Sequence, residues 1–420
     1  MMRVPPKTDL KGTVCVPGSK SLTHRALIAA ALSDGVCRIE NALRSEDTGL
    51  TLAALKKLGA GIAGSGDAVE VSGTAGRLEP VTADIDLHNS GTSMRLLTAV
   101  AAIGSGTYTL SGSARMQARP IQDLTDALGR LGVQISCLSP GGCPPVRVTG
   151  GAIDGGAVTV NCGLSSQFLS ALLLIGPYTA KGLDIQVIGG PVSRPYIDLT
   201  VEVMSRFGVD VQRQGYRRFQ VPGGKLYRCA RYTVEPDCSQ AGYFWTAAAI
   251  TGGSVKVLGT RADTLQGDFR LVRVLADMGC SVSEEADGVR LTGGRLRAVD
   301  VDMADMPDMV PTLAVAAAFA RGTTCMRSVA HLRRKESDRL AAVVAGLGNL
   351  GIRAVADADT LTVWGGNPRG APIDPHDDHL IAMSFALAGL KVPGVGIENE
   401  SCVAKSFPSF WQVLAELCRP

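Results

Sequence analysis

The sequence predicts an α/β protein of six related units, grouped as two similar halves of three. Two observations carry this reading and a third places the boundary. A polar Ser/Thr/Asp/His start, an Ala/Leu-rich run, a Gly roughly 15 residues on and then a β-rich run recur six times along the 420 residues. In the first five units a second helix follows and ends in an apolar residue, a Gly and a strand, each Gly suiting a left-handed helix C-cap. A strand interrupted by proline, Tyr232-Thr233-Val234-Glu235-Pro236-Asp237, marks the crossing between halves. A repeat of roughly 70–76 residues is too long for a solenoid motif and has room for two helices and several strands.

The units follow in order. The first comes after Thr13-Val14-Cys15-Val16, which reads as a strand. It runs from Lys20 through an Ala-rich helix to Gly35 and the strand Val36-Cys37-Arg38-Ile39, and its second helix ends at Leu58-Gly59-Ala60. The second opens at Asn89-Ser90-Gly91-Thr92, reaches Gly106 and Thr107-Tyr108-Thr109-Leu110, and ends at Leu131-Gly132-Val133. The third opens at Ser165-Ser166-Gln167, reaches Gly182 and Ile185-Gln186-Val187, and ends at Phe207-Gly208-Val209. The fourth opens at Cys238-Ser239-Gln240, reaches Gly253 and Val255-Lys256-Val257, and ends at Met278-Gly279-Cys280. The fifth runs from Asp308 past Gly322 to Leu350-Gly351-Ile352. The sixth runs from Asp378-His379 to Gly394, with Phe407 to Leu417 as its last helix. Two such halves facing each other would bring six helix N-termini to one cleft, the kind of place ligands favour.

Composition removes several classes of function. A net charge of +3 argues against a dedicated nucleic-acid binder. The N-terminus Met1-Met2-Arg3-Val4-Pro5-Pro6 does not read as a signal peptide, and no apolar run is long enough to span a membrane. The 11 Cys form no C-x-x-C, the five His do not fall at metal-ligand spacing, and buried reduced thiols of a cytoplasmic protein are the expectation. No metal is expected.

The polar starts carry the chemistry. Pro17-Gly18-Ser19-Lys20-Ser21-Leu22-Thr23-His24-Arg25 puts a glycine, hydroxyls and two cations where a strand gives way to a helix N-terminus, which suits an anion. It is no P-loop, because Ser19 separates Gly18 from Lys20. Taken alone, a Ser N-cap beside a solvated Lys is the plainer explanation. The starts at Asn89 and at Ser165 are ambiguous in the same way. Ala118-Arg119-Pro120-Ile121 and Ser193-Arg194-Pro195-Tyr196 precede second helices, and Pro at the first helical position accounts for their shape without any function. Arg334-Lys335-Glu336-Ser337-Asp338-Arg339 reads as a solvated helix face when taken alone. Together with Asp308 and with Lys405-Ser406-Phe407-Pro408, the scattered cations and acids at element ends form a coherent set. Lys and Arg suit phosphate and carboxylate, and Asp and Glu suit proton transfer.

These stretches, in this order, resemble the 5-enolpyruvylshikimate-3-phosphate synthases, the enolpyruvyl transferases of the shikimate pathway. The resemblance runs from about Lys7 to the C-terminus and rests on Pro17-Gly18-Ser19-Lys20-Ser21, Asn89-Ser90-Gly91-Thr92, Arg119-Pro120, Ser165-Ser166-Gln167, Ser193-Arg194-Pro195-Tyr196, Lys335-Glu336-Ser337-Asp338-Arg339 and Lys405-Ser406-Phe407-Pro408. It implies two similar domains, each of three βαβαββ units in an inside-out α/β barrel. Residues 19–232 would form one domain, and residues 1–18 with 233–420 the other. The active site would lie in the interdomain cleft, and the domains would close on ligand.

The resemblance also implies transfer of the enolpyruvyl group of phosphoenolpyruvate to the 5-hydroxyl of shikimate 3-phosphate. Phosphate is released and no cofactor is needed. The partners are those two small molecules, neither nucleic acid nor membrane, and the chain is expected to act as a monomer. Lys20, Ser21, Arg25, Ser165, Ser166, Gln167, Ser193 and Tyr196, with Asp308 and Lys335, should line the shikimate 3-phosphate side. Lys20, Asn89, Gly91, Thr92, Arg119, Gln167, Arg339 and Lys405 should hold phosphoenolpyruvate. Asp308 is the candidate for the hydroxyl proton, Glu336 for the carbon proton, and Lys20 for charge neutralisation at the leaving phosphate.

Two positions depart from the family pattern. The family usually reads Asp-His-Arg before its last unit's helix, with the Arg on phosphoenolpyruvate, whereas this chain has Asp378-His379-Leu380. His376 or a shifted Arg is the expected substitute. His331 stands where some members carry Asn against the sugar phosphate. Three other readings compete. The sister transferase acting on UDP-N-acetylglucosamine carries a reactive Cys in the loop before Arg-Pro, and Ser111 to Gln117 has none. A non-catalytic sugar-phosphate binder would not need both acids. A transferase with an altered acceptor fits less well with the serine pair and Gln167.

Overall fold

The computed structural model describes residues 1–8, 10–64, 66–79 and 81–419. The chain separates into two compact units, Gly18–Val234 and Met1–Pro17 with Glu235–Pro420. They are called here the N-terminal and C-terminal units. The first holds α1 (Lys20–Leu32), α2 (Glu46–Lys57), α3 (Gly91–Ala102), α4 (Gln122–Arg130), α5 (Gln167–Ile175) and α6 (Pro195–Arg206). The second holds α7 (Cys238–Thr251), α8 (Leu271–Asp277), α9 (Val310–Ala318), α10 (Arg339–Asn349), α11 (His379–Gly389) and α12 (Phe410–Leu417).

The two kinds of helix differ as their sequences do. α1, α3 and α5 are Ala/Leu-rich nearly all round and are buried along almost their whole length, as are α7, α9 and α11. A helix that is apolar on every face has no stable place except inside. α5 alone buries Phe168, Leu169, Leu172, Leu173, Leu174 and Ile175, and each such side chain contributes about 1.5–3 kcal/mol. The second helices bury one stripe only. Each of the five ends where foreseen, with Gly59, Gly132, Gly208, Gly279 and Gly351 at positive φ.

Among the described residues each four-stranded sheet pairs two parallel strands beside a central helix, and a hairpin then adds antiparallel, whereas the remaining sheet has three strands, with Pro372–Ile373 parallel and Met2–Arg3 antiparallel to Gly396–Ile397. In the second unit the order is Thr82–Asp86, Thr107–Ser111, Cys143–Thr149, Gln134–Ser139. In the fifth it is Asp300–Asp302, Thr323–Arg327, Thr360–Trp364, Ala354–Ala356. Two strands are exchanged in sequence terms. Lys11–Val14, ahead of the first unit, runs parallel to Ser254–Leu258 in the C-terminal unit. Arg231–Thr233, ahead of the fourth, runs parallel to Val36–Glu40 in the N-terminal unit.

The turn from first strand to central helix has its own repeated device. Asp86, Asn161, Asp302 and Asp374 each accept the backbone N–H two residues on, from His88 (2.9 Å), Gly163 (3.1 Å), Ala304 (2.9 Å) and His376 (2.7 Å). These side-chain turns bend the chain toward the helix start. The first and fourth units enter instead at Pro17 and Pro236, and the Asp237 N–H donates to the Pro17 carbonyl (2.9 Å).

Four sequence expectations are corrected. The first strand is Lys11–Val14 rather than 13–16, and Cys15 is exposed. Pro120 is not at the first helical position, because Ile121 is the N-cap of α4, whereas Pro195 does begin α6. The last helix starts at Phe410 rather than Phe407, since Pro408 removes an N–H that a continuous helix would need. The charged run 334–339 is not a helix face. Ala330–Arg334 is a 3-10 turn and α10 begins only at Arg339. No helix among the described residues is long and apolar enough to cross a membrane.

Candidate active site

In the N-terminal unit the starts of α1, α3 and α5 are tied together by side chains. Ser19, Ser90 and Ser166 occupy the N-cap positions, yet none caps its helix through its side chain. The serines therefore do not compete for the first-turn N–H groups, which with the positive helix end favour an anion. Gly18 brings the chain into α1 against a neighbouring backbone. A Cβ there would lie 1.8 Å from the Asn41 carbonyl oxygen.

Cations gather at these starts. Lys20 Nζ lies 3.3 Å from Asp47, a buried carboxylate in the first turn of α2. Arg119 is buried and donates through Nη1 to the Asn89 carbonyl (3.0 Å) and Oδ1 (3.1 Å). Arg95 donates to the Gly91 carbonyl (3.2 Å), Gln167 Oε1 (3.1 Å) and the Pro120 carbonyl (3.1 Å). Gln167 Nε2 in turn donates to Thr92 Oγ1 (3.1 Å). The two guanidiniums pass so close to Gly91 that a Cβ there would lie 2.4 Å from Arg119 Nη2 and 2.6 Å from Arg95 Nη1. Asn89, Gly91, Thr92, Arg119 and Gln167 thus form one connected group.

The remaining residues expected on this unit are placed differently. Arg25 is buried and turned inward, bonding Thr200 Oγ1 (2.7 Å), the Ser21 carbonyl (2.9 Å) and the Tyr196 carbonyl (3.0 Å). Burial pulls its guanidinium down to about 10, still charged at neutral pH. Ser165 Oγ accepts the Gln167 N–H (3.2 Å). Ser193 is buried with φ of 56°, a conformation that costs an L-residue energy and that clusters at functional positions. His88, ahead of Asn89, and His376 and Asp377, ahead of Asp378, share that trait.

The C-terminal unit gathers acids around one cation. Arg339, the first residue of α10, has a side chain only 3% exposed. Its Nε donates to Asp378 (2.8 Å), Nη1 to Asp308 (2.8 Å) and Nη2 to Glu336 (2.6 Å). Burial works against the charge, but Asp378, Glu336 and Asp308 outweigh it and hold the guanidinium well above its ordinary value. A guanidinium has five N–H donors, so three bonds leave two for another anion. Ser337 Oγ also donates to Asp378 (3.0 Å), and Asp378 caps α11 by accepting the Leu380 N–H (3.0 Å). Lys335 is half-buried and Lys405 is buried at the end of the 3-10 turn Glu400–Lys405. His331 is buried, and burial, then the Lys335 charge, push its imidazole down to about 3.

Leu380 joins the hydrophobic core and is 4% exposed. The proposed substitute His376 turns its Nδ1 to Asp374 (3.3 Å). Sequence reasoning missed two further residues. Arg95 had a signal, as the one charge in the α3 sequence GTSMRLLTAVAA. Asp47 had none, because an acid in a first helical turn is explained by the helix dipole alone.

The N-terminal unit thus gathers cations of the kind that suit phosphate and carboxylate, and the C-terminal unit holds two carboxylates on one guanidinium. Comparison with known proteins names the family. The family model described as EPSP synthase (3-phosphoshikimate 1-carboxyvinyltransferase) matches residues 4–414. The chain belongs to the EPSP synthase family. It is 45% identical over 418 residues to a 3-phosphoshikimate 1-carboxyvinyltransferase of Syntrophobacter fumaroxidans, covering 99% of both chains. It is 47% identical over 403 residues to one of Methanosphaerula palustris, covering 95% of both. Its fold matches the EPSP synthase structure from Acinetobacter baumannii with a TM-score of 0.83 at 29% identity, over 99% of this chain and 97% of that one. The EPSP synthase motifs quoted from the sequence all fall on helix starts or on the loops leading into them.

Proposed function

We propose that this chain transfers the enolpyruvyl group of phosphoenolpyruvate to the 5-hydroxyl of shikimate 3-phosphate, as its relatives' names describe. The observation that carries the chemistry is the buried Arg339 fork, which holds Asp308 and Glu336 by separate nitrogens. In the reaction the 5-hydroxyl oxygen bonds to C2 of phosphoenolpyruvate, its proton leaves, and the methylene carbon gains a proton. The tetrahedral intermediate then loses that methyl proton and inorganic phosphate, giving the enol ether.

Two proton movements at different atoms need two groups held apart in fixed orientation. Asp308 takes the hydroxyl proton. Glu336 gives a proton to the methylene carbon and removes one in the second step. Lys20, steadied by Asp47, neutralises the leaving phosphate. The N-terminal unit's group of Lys20, Arg95 and Arg119 suits phosphate and carboxylate. The C-terminal unit's group is carboxylate-rich and suits proton transfer.

Phosphate release from phosphoenolpyruvate with shikimate 3-phosphate as acceptor tests the reading. Turnover is expected with this acceptor and none with UDP-N-acetylglucosamine. Asp308→Asn and Glu336→Gln should each lower kcat by at least about 100-fold, in the range of a lost general acid or base. Near-normal turnover of either variant removes that residue from its role.

A further inference from the structure

Two helix starts in the N-terminal unit carry hydroxyls at the same spacing and use them in opposite ways. At α2, Ser45 closes a capping box. Its Oγ accepts the Thr48 N–H (3.4 Å), and Thr48 Oγ1 accepts the Ser45 N–H (3.0 Å). At α3, Ser90 and Ser93 stand at the corresponding positions, and Ser90 has the extended backbone from which a serine caps. No box forms there. The Ser90 hydroxyl lies 2.7 Å from Ser93 Oγ instead and does not cap the helix. The Ser93 hydroxyl is held from the other side, by Thr51 Oγ1 of α2 (2.8 Å) and by the Asp47 carbonyl (3.4 Å). Thr51 Oγ1 is in turn 2.8 Å from His24 Nδ1 of α1. A hydroxyl gives one proton and accepts two, so Ser93 is at full capacity with its three partners. His24, Thr51, Ser90 and Ser93 are all buried. Alanine or valine would fill such sites without needing partners, so a chain of hydroxyls there serves to orient.

Resting on the function proposed above, in which Asn89, Gly91 and Thr92 hold phosphoenolpyruvate, we propose that Ser93 is a positioning residue. It draws the Ser90 hydroxyl away from the first turn of α3 and so leaves the N–H groups there to the phosphoenolpyruvate anion. A capping oxygen and an anion compete for the same donors. The two helix starts differ in charge as this requires. α2 has Glu46 and Asp47 in its first turn and is closed by its box, whereas α3 has no acid there and has Arg95 and Arg119 against Gly91. Thr51 fixes the direction of the Ser93 hydroxyl, and through it α1 and α2 keep the start of α3 open.

Ser93→Ala removes one oxygen and should release Ser90 to cap α3. The KM for phosphoenolpyruvate should then rise by about fivefold, the equilibrium worth of one N-cap. The KM for shikimate 3-phosphate and kcat should stay within about twofold, the mark of lost uniform binding. Adding Ser90→Ala removes the competing hydroxyl, so the double variant should return the raised KM to within about twofold of the parent. A merely structural role for Ser93 gives the reverse, with the second deletion adding to the first. Should Ser93→Ala lose its far-ultraviolet dichroism, Ser93→Cys takes its place, because a thiol is a weak partner for Ser90 and should shift KM the same way. A parental KM in Ser93→Ala, or a raised KM that the second deletion does not lower, overturns the proposal. A parent without turnover overturns the function reading instead. Amide hydrogen exchange over residues 91–94 then decides. It should be slower in Ser93→Ala than in the double variant, because a capped N–H is protected, and equal rates overturn the proposal without reference to turnover.

Discussion

Replacing Arg339 by Ala is the sharpest test of the C-terminal cluster. The guanidinium touches Asp378, Asp308 and Glu336 at 2.8, 2.8 and 2.6 Å, and the side chains of Asp378 and Glu336 are 0% and 10% exposed. Deleting it leaves three acids around a space that water fills poorly. Removing one partner of a buried ion pair costs about 3–5 kcal/mol. Asp308 is 29% exposed and partly screened, which places the cost nearer about 3 kcal/mol. With a urea dependence of about 2–3 kcal/mol per molar for a unit of this size, the midpoint should fall by about 1–1.5 M.

The assay reads the right unit without labels. Trp245, Trp364 and Trp411 are the chain's only three tryptophans, and all lie in the C-terminal unit. Tryptophan emission against urea therefore follows that unit, while far-ultraviolet dichroism follows both. Arg339→Lys keeps the charge, but one ammonium does not match three carboxylates in a planar fork, and an intermediate midpoint is expected. A midpoint for Arg339→Ala within about 0.3 M of the parent would refute the reasoning, because the acids would then not depend on the guanidinium.

Three further outcomes are expected. Leu380→Arg should lower the KM for phosphoenolpyruvate by between about 10- and 150-fold, the worth of one charged hydrogen bond, and an unchanged or higher KM in steady-state assays counts against it. Gly91→Ala should cost only modest stability, because the displaced atoms are side-chain ends rather than backbone, although hydrogen bonds of buried Arg95 and Arg119 must shift. It should nonetheless raise that KM by about tenfold or more as Arg95 and Arg119 move, and a parental KM argues that neither guanidinium grips this substrate. His331 has a folded value near 3 against an ordinary 6.5, so the unfolded chain takes up a proton first and stability is lost as pH falls below 6.5. His331→Asn should therefore gain on the parent by about 2–3 kcal/mol between pH 7 and 4.5, read from urea midpoints at each pH. Parallel curves would show that the imidazole is not held neutral.

Much of the fold was legible because it depends on near neighbours. The Ala/Leu-rich runs had to be interior helices, and Gly59, Gly132, Gly208, Gly279 and Gly351 had to close the outer ones. The strand-end turns at Asp86, Asn161, Asp302 and Asp374 went unread, although each is a local contact, because an Asx turn needs one acceptor and leaves no periodic trace. The site was legible as residue types at helix starts. Its wiring was not: Lys20 and Asp47 are 27 residues apart, Arg339 and Asp308 are 31, and Arg25 and Thr200 are 175. The charged run 334–339 shows the difficulty, because a solvated face and a buried fork are written with the same letters.

The sequence by itself determined the six units, the ends of their helices and the chemical kinds of side chain at their starts. Periodicity, left-handed glycines and proline breaks act over a few residues, so they can be read from a line of text. Only the tertiary structure decided that Lys11–Val14 and Arg231–Thr233 would pair with strands far from them in the chain. It alone decided that Arg339 would be buried among three acids, that Arg25 would turn inward, and that the Tyr243 hydroxyl would find no hydrogen-bond partner among the described residues. Those outcomes depend on which distant segments meet and on how much water remains between them.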